Sequence, residues 1–134
     1  MNCFVLFVVT LLLHLLADFT LQGWFANGKQ RAWWEQQCAE HGVDFSKYRY
    51  DYICALVSHS FFWAAVTFLP MIVMTNWPYD WLAVVFLTVQ VIVHAVVDDL
   101  KANKFKLNLV QDQLVHVLQV AVAAAIYGLL GGVA

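Results

Sequence analysis

A chain of 134 residues has room for one domain and little else. Apolar residues make up 63% of it and charged residues 12%, with a mean hydropathy of +0.70; a soluble domain of this size could not cover that much apolar surface, so an integral membrane protein is expected. The net charge of −2 gives no case for nucleic acid, and Cys3, Cys38 and Cys54, which lack CxxC spacing, suggest neither a disulfide framework nor a thiolate metal site.

The first apolar segment runs from about Asn2 to Gln22 and is long enough to span a bilayer. It has no basic n-region and no small-x-small cleavage site, and it carries His14 and Asp18, so it reads as a transmembrane helix rather than a signal peptide. Residues 23–51 are the extended polar region. There Asn27 is expected to cap a short helix that Gly42 ends, with Trp24, Phe25, Trp33 and Trp34 on the membrane surface. Tyr48, Tyr50 and Tyr52, with Lys47 and Arg49, read as an interfacial anchor.

A second span runs from about Tyr52 to Met74, with His59 inside it and Pro70 kinking its far end. The connection Thr75–Asp80 contains Pro78 and no basic residue. A third span, from about Trp81 to Leu100, leads through the Lys101–Lys106 turn to a fourth, from about Asn108 to Val133. The expected fold is therefore all-α: a polytopic membrane protein forming one domain over residues 1–134, with four transmembrane helices built as two tandem hairpins. All seven basic residues lie in the loops after spans one and three, which places those loops in the cytoplasm and both termini outside in a multi-pass inner-membrane protein.

With that orientation, helical rise places His14, His59, His94 and His116 in one layer about 9–12 Å deep, and Asp18, Asp98 and Asp112 in a second layer about one turn nearer the cytoplasm. The order reverses with chain direction, HxxxD on spans one and three and DxxxH on span four. Residues four apart share a helix face, so each His–Asp pair is expected to point the same way. LLLHLLADF also matches VIVHAVVDD, and CALVSHS can be laid on QDQLVHV with Ala55 opposite Asp112, which suggests a parallel tandem repeat with a site on its pseudo-axis.

Imidazoles and carboxylates directed into a four-helix bundle are the ingredients of a bundle-core metal site. His14, Asp18, His59, His94, Asp98, Asp112 and His116 are the candidate ligands. The cofactor expected is a divalent transition metal, zinc foremost with manganese or iron as alternatives, in one or two ions. The plainer reading makes the His–Asp pairs polar glue between helices; four histidines at one depth argue for metal. Gln22, Lys29, Asp99, Lys101 and Gln113 lie at the cytoplasmic mouth, where Lys29 and Lys101 can hold a phosphate or serve as topology determinants and helix-end caps. His41 reads as solvated, and Ser58 and Ser60 as helix contacts.

HLLADFTLQGWFANGKQ, and HAVVDDLK followed by DQLVH, resemble the small bacterial and phage membrane proteins of domain-of-unknown-function family 3307. The likeness covers most of the chain and rests on the elements H-x3-D-F-x-L-Q and D-Q-x2-H. More loosely, the His/Asp motifs resemble those of membrane-bound metal-dependent hydrolases. The family resemblance implies a fold and a site but no activity.

The function expected is metal-assisted hydrolysis of a phosphoester in a lipid or lipid-linked substrate, with Asp18 or Asp112 as general base. Asp112, opposite Ala55, has no counterpart in the first half and is the better candidate. Two readings compete with it. A metal-ion binding or transport protein would need an outward path, for which there are only Thr10, Thr67, Thr88, Gln90 and Gln119 and no acid. A non-catalytic phage or bacterial envelope interaction protein would hold the metal structurally. Expected partners are the bilayer, the substrate and, in a homo-oligomer, a second copy of the chain.

Overall fold

The computed structural model describes residues 3–73 and 80–130, and these are all-α with no strand among them. α1 (Cys3–Leu15) runs into one π-helical turn, Leu16–Thr20; α2 (Phe25–Gly28), α3 (Arg31–His41) and a 3-10 turn, Phe45–Lys47, make up the polar region; α4 (Asp51–Val73), α5 (Asp80–Ala102) and α6 (Leu109–Leu130) follow. Among the described residues four helices are long and apolar enough to cross a membrane: Cys3–Thr20, Asp51–Val73, Asp80–Ala102 and Leu109–Leu129. The connection around Pro78 and the small-residue tail after residue 130 lie outside the described residues.

α1 packs on α4 and α6, and α5 packs on the same two helices, so α1 faces α5 and α4 faces α6 across the bundle axis. Away from the basic loops the core is apolar: Leu6, Trp63, Phe68, Met71, Phe86 and Tyr127 fill it. Within a bilayer such a core is held by close van der Waals packing rather than by water exclusion, which favours small residues where backbones approach. At Gly128 of α6 an added Cβ would lie 2.6 Å from Cys3 Sγ of α1, so the Cys3 side chain takes the space that a larger residue at 128 would fill. Outward-facing positions such as Phe4, Phe61, Leu114 and Leu118 are more than 60% exposed apolar surface, as lipid contact requires.

The polar region folds over the basic end of the bundle, with α2 and α3 both against α4. Gly42 ends α3 as expected: at φ 64° it takes the left-handed conformation, and Val43 N–H returns to Cys38 O at 2.9 Å. The start of α3 differs from expectation. Asn27 lies inside α2, and Gln30 holds the cap position without a side-chain bond to the helix. Its amide donates instead to Ala26 O at 2.8 Å. The first amide of α3 is satisfied from the turn after α5, by Asn103 Oδ1 accepting from Arg31 N–H at 2.8 Å. A tertiary contact has replaced the local cap. In the next turn Asp44 accepts from the backbone and hydroxyl of Ser46, and these bonds hold its carboxyl below the usual range.

Candidate metal centre

Below the apolar core the bundle interior becomes polar. His14, His59, His94, His116, Asp98 and Asp112 are at most 1% exposed and Asp18 is 5% exposed. An unbroken α-helix directs His94 and Asp98 together: Nε2 lies 3.6 Å from Asp98 Oδ2. The DxxxH pair of α6 does the same, with His116 Nε2 3.5 Å from Asp112 Oδ1.

α1 behaves differently. Between His14 and Asp18 the backbone widens into the π turn, closed by Leu21 N–H on Leu16 O at 3.0 Å, an i→i+5 bond. Asp18 enters the cluster while His14 turns aside, and no ion pair joins them. Trp63 Nε1–H donates to His14 Nδ1 at 2.9 Å. An indole only donates, so Nδ1 carries the lone pair and Nε2–H donates to Gln113 Oε1 at 3.2 Å. The amide of Gln113 is thereby oriented, its Nε2 donating to Asp18 Oδ2 at 2.7 Å and Asp112 Oδ2 at 3.1 Å. His14 thus reaches the carboxylates through Gln113, with both ring nitrogens already engaged.

Among the described residues three buried groups present converging ligand atoms: Asp18, His59 and His94; His94, Asp98 and His116; Asp18, Asp112 and His116. His14 belongs to none of them. The tightest convergence joins His59 Nε2, His94 Nε2, Asp18 Oδ1 and Asp98 Oδ2. The two imidazole nitrogens are 3.3 Å apart; His59 lies 3.4 Å from Asp98 and 3.6 Å from Asp18; His94 lies 3.6 Å from Asp98 and 4.0 Å from Asp18. Ligands about 2.0–2.2 Å from a tetrahedral ion lie about 3.3–3.6 Å from one another. Four of the six edges of such a tetrahedron therefore already have that length, and the edge from His94 to Asp18 is longer, at 4.0 Å. Packing sets the rings: Trp63 stacks on His94 with centroids 3.9 Å apart and planes within 12°, while His59 and His94 Nδ1 have no hydrogen-bond partner among the described residues.

The residues placed at the mouth by sequence engage the carboxylates. Lys29 Nζ is 2.6 Å from Asp98 Oδ2, and Lys101 Nζ is 2.7 Å from Asp112 Oδ2. Gln22 Nε2 donates to Asp18 O, capping a carbonyl of the π turn. Asp99 pairs instead with Lys104 at 2.8 Å, which raises that exposed lysine's pKa. Lys29 is steered from outside its own segment, because Asn103 Nδ2 donates to Lys29 O at 3.1 Å while its Oδ1 holds Arg31 N–H. Beside these groups opens a cavity of about 300 Å³ lined by Gln22, Lys29, Gln30, Asp98, Lys101 and Phe105 among others.

Trp63 and Asn103 escaped the sequence reading, which weighed Gln90 and Gln119 only as polar groups of an outward path. Trp63 stands four residues after His59, Gln90 four before His94 and Gln119 three after His116, so helix-face spacing carried a signal for each. Asn103 left no signal of its contacts with Lys29 and Arg31, which are more than seventy residues away. Comparison with protein-family models, curated proteins and solved structures finds no match.

Proposed function

We propose that this chain is an inner-membrane metalloprotein. It binds a divalent transition metal, zinc foremost, between Asp18, His59, His94 and Asp98, and hydrolyses a phosphoester in a lipid or lipid-linked substrate. The observation that carries the metal is the set of five ligand–ligand distances of 3.3–4.0 Å among four buried donors on two helices and the π turn. Charge supports it. Three buried carboxylates against the ammonium groups of Lys29 and Lys101 leave one negative charge if the imidazoles are neutral. Burying such an excess is costly unless a cation compensates it.

The hydrolytic reading draws on the cavity beside Lys29 and Lys101 and on the resemblance to membrane-bound metal-dependent hydrolases. A metal lowers the pKa of a bound water enough to generate hydroxide near neutral pH. The water's proton passes to a carboxylate of the cluster, its oxygen bonds to phosphorus, the bond from phosphorus to the alcohol oxygen breaks, and the alcohol leaves with that proton. A four-ligand position is also what a structural ion occupies, which keeps the interaction-protein reading alive beside the enzymatic one. Transport is less well served: Trp63, Phe68, Met71 and Phe86 close the core beyond the histidines.

Metal analysis of protein purified in detergent tests the first part. Metal should co-purify, and zinc added back after chelation should raise the thermal midpoint as a ligand specific to the folded state does. Metal-free protein that stays folded and is unmoved by zinc, manganese or iron would sink the proposal. Release of inorganic phosphate from vesicles containing phosphatidate tests the second part; binding without turnover on lipid phosphoesters leaves the ion structural.

The orientation proposed puts the basic end in the cytoplasm. Glu40→Cys, on exposed α3 of a chain whose own cysteines are replaced by serine, should react with an impermeant maleimide only after the cells are opened. Labelling of intact cells would reverse the topology.

A further inference from the structure

The four-donor position uses only one oxygen of Asp98. On the other side of that carboxylate, His116 Nε2, Asp98 Oδ1 and Asp112 Oδ1 are buried without a hydrogen-bond partner among the described residues, on side chains at most 1% exposed. His116 Nε2 lies 3.5 Å from Asp112 Oδ1 and 3.8 Å from Asp98 Oδ1.

The protonation of that ring is set from above. Gln119 Nε2 donates to Gln90 Oε1 at 2.7 Å and to Gln90 O at 3.1 Å. The nitrogen of Gln119 is thus spent on Gln90, and its Oε1, 3.3 Å from His116 Nδ1, accepts the proton there. In its neutral form His116 then turns a lone pair at Nε2 toward two carboxylate oxygens. A lone pair 3.5 and 3.8 Å from two buried carboxylate oxygens repels both unless something positive stands between. A histidine fixed through its other ring nitrogen is the usual arrangement of a metal ligand.

We propose that His116, Asp112 and Asp98 hold a second divalent cation, with Asp98 bridging the two ions, Oδ2 toward the first and Oδ1 toward the second. The proposal rests on the metal reading of the first position and adds what that position lacks. Four protein donors close a tetrahedral ion, whereas three leave a place for water or substrate, as catalytic ions require. The second ion is accordingly the reactive one, and the pair can clamp both oxygens of a displacement at phosphorus.

Charge then names the class of ligand. The cluster's single net negative charge becomes three positive charges with two divalent ions, and a hydroxide with a doubly charged phosphate monoester restores neutrality. The cavity at Lys29, Asp98 and Lys101 is the entry for such an anion. A lipid phosphate and a free phosphate ester share this chemistry, and competition separates them: inorganic phosphate and phosphatidate vesicles are offered to the same loaded protein.

Equilibrium dialysis against zinc, with the protein in detergent, should saturate at two ions per chain. Manganese loading should give the electron-paramagnetic signature of a coupled pair. His116→Gln and Asp112→Asn should each lower saturation from two to one, the surviving ion reporting an intact fold. Gln119→Leu should weaken only the second ion, by about 10–100-fold. Phosphate or phosphatidate should tighten the second ion and leave the first unchanged. Saturation at one ion with no loss in His116→Gln overturns the second position and leaves the first standing, as a proton on Nε2 in the ion's place would require. Failure to bind any ion removes both.

Discussion

Two stretches of the chain carry a histidine followed four residues later by an aspartate, one on α1 and one on α5. On α5 the backbone stays α-helical, and His94 and Asp98 both face the bundle axis, 3.6 Å apart. On α1 the π turn begins two residues after His14, so Asp18 reaches the cluster while His14 lies against Trp63 and Gln113. Four-residue spacing guarantees a shared face only on an α-helical backbone. Equal spacing has produced two candidate ligands in one case, and one candidate ligand with its support in the other.

The largest effect that sharpens this contrast is on metal binding. His94→Ala removes a donor common to two of the three converging groups and should empty the first position, exceeding the about 10–100-fold that loss of a supporting residue costs. His14→Ala should stay within that range and keep the same saturating number of ions, because it touches the carboxylates only through Gln113. A zinc titration of both variants decides. Equal loss of metal would make the two histidines equivalent, as the matching sequences suggest, and would break the distinction drawn from the π turn.

Much of the fold was legible because its cause is local. Apolar runs long enough to cross a bilayer announce the four helices, and ionisable residues within them are conspicuous against that background. His59, His94, Asp98, Asp112 and His116 were found in this way. What stayed hidden depends on distant partners or on backbone form. Lys29 and Lys101 were legible as basic residues at the mouth, but not as the counter-ions of Asp98 and Asp112. The cap of α3 was sought at Asn27 and came from Asn103. Nothing in LADFT distinguishes a π turn from an α turn, so the departure of His14 from its expected face could not be read in advance.

The smallest expected effect isolates the bond that holds His14 aside. Trp63→Phe keeps an aromatic face against His94 and removes only the indole N–H that fixes His14 Nδ1. Nδ1 is then a buried acceptor without its donor, which costs about 1–3 kcal/mol, and the ring is free to exchange its proton between nitrogens. Stability should fall by that amount. Metal affinity should change less than in His14→Ala, since Gln113 can still bind Asp18 and Asp112. The decisive measurement is a double-mutant cycle of Trp63→Phe with His14→Ala. If the indole acts through His14, the two losses are not additive, and the coupling falls in the range of about 0.5–3 kcal/mol typical of residues in one network. Strict additivity would mean that Trp63 serves the centre through its stack on His94 alone. The position of His14 would then owe nothing to the indole and everything to the π turn.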